Sequence, residues 1–129
     1  MQIQPQPYTL LITDDDFISR SILKRSLKSL LLPIREAANG EEALMEILQI
    51  GNQPIILLLD LNMPVMSGYD VILQMRDNPV LYSHVTTIVI SSALAFQFAE
   101  TGLQKYVHAY FEKPADTADL LKEIHSITG

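Results

Sequence analysis

The chain has 129 residues, enough for one domain with a real hydrophobic core, and its 48% apolar and 19% charged residues mark it as globular rather than disordered or fibrous. A formal net charge of −6 and a pI near 4.8 argue against direct contact with nucleic acid or an anionic membrane. The absence of cysteine excludes disulfides, thiol catalysis and Cys-ligated zinc within these residues.

The opening MQIQPQPY reads as a short extended lead-in, without the basic residue and apolar run of a signal peptide. No stretch reaches the roughly 18 to 20 unbroken apolar residues that span a bilayer. A single cytoplasmic domain is expected, residues 1–129 with its core at about 8–127.

Tyr8 to Thr13 (YTLLIT) predicts a strand that closes on Asp14, Asp15 and Asp16. Asp16 to Leu31 predicts a helix, with apolar residues at 18, 22, 23, 27, 30 and 31, acids at its positive end and Pro33 as its stop. Ile34 to Ala38 is a short strand. The run NGEEALMEILQIG predicts a helix with Asn39-Gly40 as its turn and cap, and Ala43, Leu44, Ile47 and Leu48 inward. Ile55 to Asp60 is apolar on both faces until its last residue, the pattern of a central parallel strand covered by helices on both sides.

Met66 to Arg76 predicts a helix ending before Asn78-Pro79, and Thr87 to Ser91 a fourth strand. Leu94 to Gln104 predicts a helix, His108 to Phe111 a fifth strand, and Asp116 to Ile127 a closing helix with Leu120, Leu121 and Ile124 inward. Strands alternating with helices imply a parallel sheet with right-handed crossovers. The expected fold is therefore α/β: a flavodoxin-like, doubly wound, five-stranded sheet of order 2-1-3-4-5 with helices on both faces. Its ligand crevice lies at the carboxyl ends of the strands, where this sequence keeps its acids.

A carboxylate at the end of an oily strand is costly unless something pairs with it. Neighbouring strands lie about 4.8 Å apart, so the acids after the first and third strands can converge on one ion. Carboxylates so gathered repel unless a hard cation sits among them, and Mg²⁺ suits carboxylates, a carbonyl and waters. Lys113, after the fifth strand, adds a positive charge, and Ser91 or Ser92 offers a hydroxyl. Such a pocket suits attack by Asp60 on phosphorus.

The strings LLITDDDFISR, REAANGEEALMEIL, LLLDLNMPVMSGYDVI, IVISSA and YFEKP resemble, in order and over roughly Tyr8 to Ile127, the receiver domain of two-component response regulators, the single-domain chemotaxis type included. The resemblance implies a phosphoacceptor signalling module that catalyses only its own phosphorylation and slow dephosphorylation. Asp60 corresponds to the phosphorylated aspartate, Asp15 to the direct Mg²⁺ ligand, Asp14 to a ligand through water, and the Asn62 backbone carbonyl to a further ligand. Asp16 is not assigned to the metal. Lys113 would pair with the phosphoryl group, before a cis peptide to Pro114. Ser91, with Ser92 as its rival, takes the switch hydroxyl, and Tyr110 the aromatic that turns inward. The implied partners are a sensor histidine kinase or histidine phosphotransfer protein, and a downstream protein or a second copy bound through the fourth helix, fifth strand and fifth helix.

Each motif also has a plainer meaning. One of the three acids serves as a helix cap, and Asp60 alone could be a turn former. His84, His108 and His125 are too far apart for an i, i+4 metal pair and are expected to be surface or structural. Phe96 and Phe98 cannot share one helix face, so an exposed apolar patch is expected, with Leu103 or Tyr106 as further members. Ala93 stands two past Ser91, where the family often carries an acid or amide; hydrolysis is expected to depend on Asn62 and solvent access. The competing functions are a small-ester phosphatase, whose DxDx[TV] signature is missing, an FMN carrier, disfavoured by the acids, and a receiver that only binds partners.

Overall fold

The computed structural model describes residues 7–129, so the lead-in expected at the N-terminus falls mostly outside the described residues. In chain order the elements are β1 (Thr9–Thr13), α1 (Phe17–Ser26), β2 (Ile34–Ala37), α2 (Gly40–Ile50), β3 (Ile55–Leu59), α3 (Gly68–Asp77), β4 (Val85–Ser91), α4 (Ala95–Glu100), β5 (Ala109–Glu112) and α5 (Thr117–Thr128). The strands among the described residues form a five-stranded sheet in the order β2-β1-β3-β4-β5, each pair parallel, as expected.

Side chains alternate across the sheet, so each strand feeds two cores. Leu11, Leu57, Leu59 and Val89 join Ala43 and Ile47 of α2, Val71 and Ile72 of α3 and Phe98 of α4 on one face. Leu10, Ile12, Ile56, Leu58, Ile88 and Ile90 join Leu27 and Leu120 and Ile124 of α5 on the other. β1 and β3 are buried along their whole length, which is why they read as unbroken aliphatic runs.

Three expected helices differ in detail. α1 stops at Ser26, followed by a 3-10 turn over Lys28–Leu30 and a left-handed Leu31 at φ 58°. Leu27 is buried, but Ile18, Ile22 and Leu31 are exposed, because the apolar positions wrap more than the one stripe that meets the sheet. In α2, Leu48 is exposed: it lies about 100° around the helix from buried Ile47.

α4 is six residues long and does not reach Gln104. The Thr101 hydroxyl donates to Phe98 O at 2.6 Å and accepts from Leu103 N at 3.2 Å, and Gly102 turns left-handed at φ 73°. That local network ends the helix. A 3-10 turn over Gln104–Tyr106 then leads into β5. No helix of the described residues is long and apolar enough to cross a membrane.

Candidate functional site

The site begins with register. Thr13 of β1 pairs with Leu59 of β3, so the next residues, Asp14 and Asp60, emerge side by side. The ladder runs one residue past the strands: Asp60 N donates to Thr13 O at 2.9 Å and Asp14 N to Ala37 O at 3.1 Å. Both carboxylates are sunk, with Asp14 2% and Asp60 5% exposed. Asp15 is exposed beside them, and one oxygen from each of Asp14, Asp15 and Asp60 lies within 4.8 Å of the others.

Asp16 stands apart as the cap of α1, accepting from Ile18 N at 3.1 Å and the Ser19 hydroxyl at 2.9 Å. Those two bonds, the Ser19 one foremost, hold its carboxyl below the usual range. The cap and the cluster thus divide the three acids between them.

Lys113 arrives at the end of β5, before a cis peptide to Pro114. Its ammonium donates to Asp14 Oδ2 at 2.8 Å and stands 3.5 Å from Asp60 Oδ2. Burial pushes the Asp60 carboxyl above its ordinary value; the charge of Asp14 adds to this, and Lys113 and the Asn62 backbone N–H oppose it. Burial would lower Lys113, but the bond to Asp14 and the charges of Asp60 and Asp14 outweigh it and raise the ammonium. Lys113 therefore stays charged.

The loop from Asp60 to α3 is moulded under the site. A Cβ on Gly68 would meet Asp60 O at 2.2 Å and Leu61 Cα at 2.8 Å, so only glycine lets the start of α3 sit there. Ser67 and Asp70 close a capping box above it. Asn62 lies in this loop, exposed, two residues past Asp60.

Ser91 is 0% exposed whereas Ser92 is exposed, so the structure turns Ser91 inward, where its Oγ accepts from Ala93 N at 3.2 Å. The Tyr110 hydroxyl donates to Ala93 O, and its ring stacks on Phe98 with centroids 4.9 Å apart. Burial raises the Tyr110 phenol, while the neighbouring Ser91 hydroxyl works against the shift. Tyr110 is thus already folded against the β4–α4 loop.

The structure therefore gathers Asp14, Asp15, Asp60 and Lys113 in one cluster and joins Ser91 to Tyr110 through Ala93. Two further residues were not signalled by spacing. Arg20 donates to Asp14 O at 2.7 Å and pairs with Glu36 at 3.2 Å, and Glu112 accepts from Ala95 N at 2.8 Å. Glu36 and Ala95 lie 16 and 17 residues from their partners, and the Asp14 carbonyl sits six residues back, outside the helical repeat, so none of these contacts has a local pattern. His108 pairs with Glu123 at 2.9 Å, a structural link between the start of β5 and α5.

Chemically, the cluster sets three carboxylates against one ammonium. The set is all oxygen, crowded, and short of positive charge. These residues fit a hard divalent cation such as Mg²⁺.

Comparison with known proteins agrees in fold and family. The model of the response regulator receiver domain matches residues 10–125. The sensor histidine kinase CheAY of Helicobacter pylori is 31% identical over 111 residues, covering 85% of this chain and 14% of its own length. The nitrate/nitrite response regulator NarL of Escherichia coli K12 is 30% identical over 122 residues, covering 93% and 54%. The chain thus spans about half or less of the curated relatives it matches. A CheY-like receiver from Methanospirillum hungatei superposes with a TM-score of 0.76 at 29% identity, covering 93% of each chain. A structure of a CheX–CheY complex with BeF3 and Mg from Borrelia burgdorferi gives 0.82 at 26% identity, covering 96% of this chain and 91% of the other.

Proposed function

The chain belongs to the response regulator receiver family, and from that premise we propose that Asp60 accepts a phosphoryl group from the phosphohistidine of a sensor histidine kinase or histidine phosphotransfer protein. One observation carries this above the others. Lys113 Nζ reaches Asp14 at 2.8 Å and Asp60 at 3.5 Å in a cluster that also includes Asp15. A nucleophile, a cation and metal-binding acids therefore share one pocket.

An Asp60 carboxylate oxygen attacks phosphorus as the phosphorus–nitrogen bond of the donor breaks. The electron pair returns to the imidazole nitrogen, and an acyl phosphate forms on Asp60. Asp15, Asp60, the Asn62 carbonyl and, through water, Asp14 would hold Mg²⁺, which when bound would supply positive charge against the phosphoryl oxygens. Lys113 loses its Asp60 partner in this step and pairs with a phosphoryl oxygen instead. Ser91 donates its hydroxyl to another. Charges and dipoles placed in advance account for most of the rate in such transfers. Hydrolysis by water resets the site slowly, tuned by Asn62 and by the apolar Ala93.

Phosphorylation then selects between two arrangements of the β4–α4 loop, with Ser91 and Tyr110 as the moving pair. Of the two phenylalanines of α4, Phe98 is 1% and Phe96 61% exposed, and Tyr106 is also exposed. Phe98 is therefore part of the core, and Phe96 is the docking candidate of the two. These residues support the α4–β5–α5 face as the surface for a target protein or a second copy. On the other side of the sheet, Phe17, Ile18 and Ile22 are exposed. Ile22 also lines a groove of about 370 Å³, together with Leu23, Pro114 and Leu120 and with Asp14 and Lys113 of the cluster. Apolar surface beside the acceptor favours a protein donor over a small ester. This reading also carries a cytoplasmic location for the receiver.

The test is labelling with acetyl phosphate and Mg²⁺. Wild type should gain an acid-stable, base-labile phosphoryl group, and Asp60→Asn should not. Steady turnover of phosphate esters without such an adduct would instead identify a phosphatase.

A further inference from the structure

Tyr110 and Glu112 stand two residues apart on β5, so their side chains leave the sheet on the same face. That face carries α4, since Tyr110 stacks on Phe98. Tyr110 grips the loop that leads into the helix, and Glu112 grips the helix's first residue. The Tyr110 hydroxyl donates to Ala93 O, and Glu112 Oε1 accepts from Ala95 N at 2.8 Å. On the β4 side the backbone ties to β5 reach only as far as Ser91, whose carbonyl accepts from Lys113 N at 2.8 Å.

The helix needs an outside partner because its own cap is poor. Leu94, the N-cap residue, has no side-chain oxygen to offer. Gln97 Oε1 turns back to Leu94 N at 3.1 Å, and the amides of Gln97 and Phe98 bond to Leu94 O. The first helical amide, Ala95 N, is thus left to Glu112. A carboxylate on that amide makes a charge-assisted bond at the positive end of the helix.

We propose that Glu112 is a positioning residue for phosphoryl acceptance: it latches the first amide of α4 to β5 and so holds residues 92–94 in place beside Ser91 and Lys113. The proposal rests on the receiver assignment of Ser91, Lys113 and Asp60. Glu112 directly precedes Lys113, so one short piece of β5 holds both the acceptor pocket and the start of α4. A shift of Lys113 toward a phosphoryl oxygen is then felt at the helix.

The experiment uses the full chain with Mg²⁺ and beryllofluoride as the phosphoryl mimic, in wild type, Glu112→Ala and Glu112→Gln. Amide NMR reads hydrogen exchange at Ala95 and, in the same spectra, beryllofluoride affinity. Glu112→Ala should speed exchange at Ala95 about tenfold, the effect of losing one charge-assisted bond. It should also weaken beryllofluoride about threefold or more, while the melting midpoint stays close to wild type because the group is exposed. Glu112→Gln keeps the oxygen acceptor and should recover most of both. The proposal is overturned if Glu112→Ala matches wild type in exchange and affinity, or if Glu112→Gln is as impaired as Glu112→Ala. Failure of wild type itself to bind beryllofluoride would remove the acceptor assignment and the latch together, whereas wild-type binding with an unaffected Glu112→Ala removes the latch alone.

Discussion

The acidic pocket and the α4 side meet at Lys113, yet they are built in opposite ways. Asp14 and Asp60 are placed by backbone: two buried strands in fixed register, ladder bonds that run past the strand ends, and Gly68 pressed against Asp60 O. α4 is placed by side chains: buried Phe98 beneath it, and Tyr110 and Glu112 holding its leading loop. A switch needs this division. Chemistry requires a pocket that does not move, and signalling requires a neighbour held by few enough contacts to shift.

The sharpest way to break the contrast is Phe98→Ala. Removing this anchor should cost about 3–5 kcal/mol in urea unfolding. Mg²⁺ affinity of the folded variant should nonetheless stay within roughly twofold of wild type, since the acids do not touch the ring. A large loss of Mg²⁺ binding would show that the pocket depends on α4 after all. Gly68→Ala probes the other side. It should cost about 2–3 kcal/mol through overpacking against backbone, and here Mg²⁺ affinity should fall as well, because Asp60 itself must move.

Asp60→Asn should act in the other direction. It removes a buried charge that Asp14 repels, so magnesium-free protein should gain about 1 kcal/mol in stability. Saturating Mg²⁺ should narrow that gain, because the metal stabilises only the chain that retains the full ligand set. Phe96→Ser should be the smallest change in stability, within about 0.5 kcal/mol for an exposed position. Its effect should appear instead in binding of the target or in oligomeric state, read by sedimentation of the beryllofluoride-bound protein. No change in either would withdraw α4–β5–α5 as the docking face.

The same contrast explains what the sequence disclosed. β1 and β3 are buried on both faces, so their aliphatic runs and the acids that end them could be read directly, and the pocket followed from strand order. The sequence leaves Ser92 as a rival to Ser91, because which of two adjacent hydroxyls faces inward depends on where the strand ends; Ser91 is the buried one. α4 was overextended because its end is set by the Thr101 hydroxyl and by Gly102, a network that hydrophobic period does not register. The expected first helix runs past Ser26 for a related reason: Leu27, Leu30 and Leu31 continue the helical spacing where the chain passes into a 3-10 turn and a left-handed Leu31. Arg20 on Asp14 and Glu112 on Ala95 have no sequence signature, because a charged side chain reaching a backbone atom outside the helical or strand repeat leaves no periodic trace.

The central claim is that Asp60, in its magnesium-filled pocket, takes phosphorus from histidine. The direct measurement is transfer from a phosphorylated histidine phosphotransfer protein, followed by peptide mapping, with Mg²⁺ present or chelated. The phosphoryl group should appear on the peptide containing Asp60 only when Mg²⁺ is present. Transfer that persists in chelator, or a label mapped to any other residue, would contradict it.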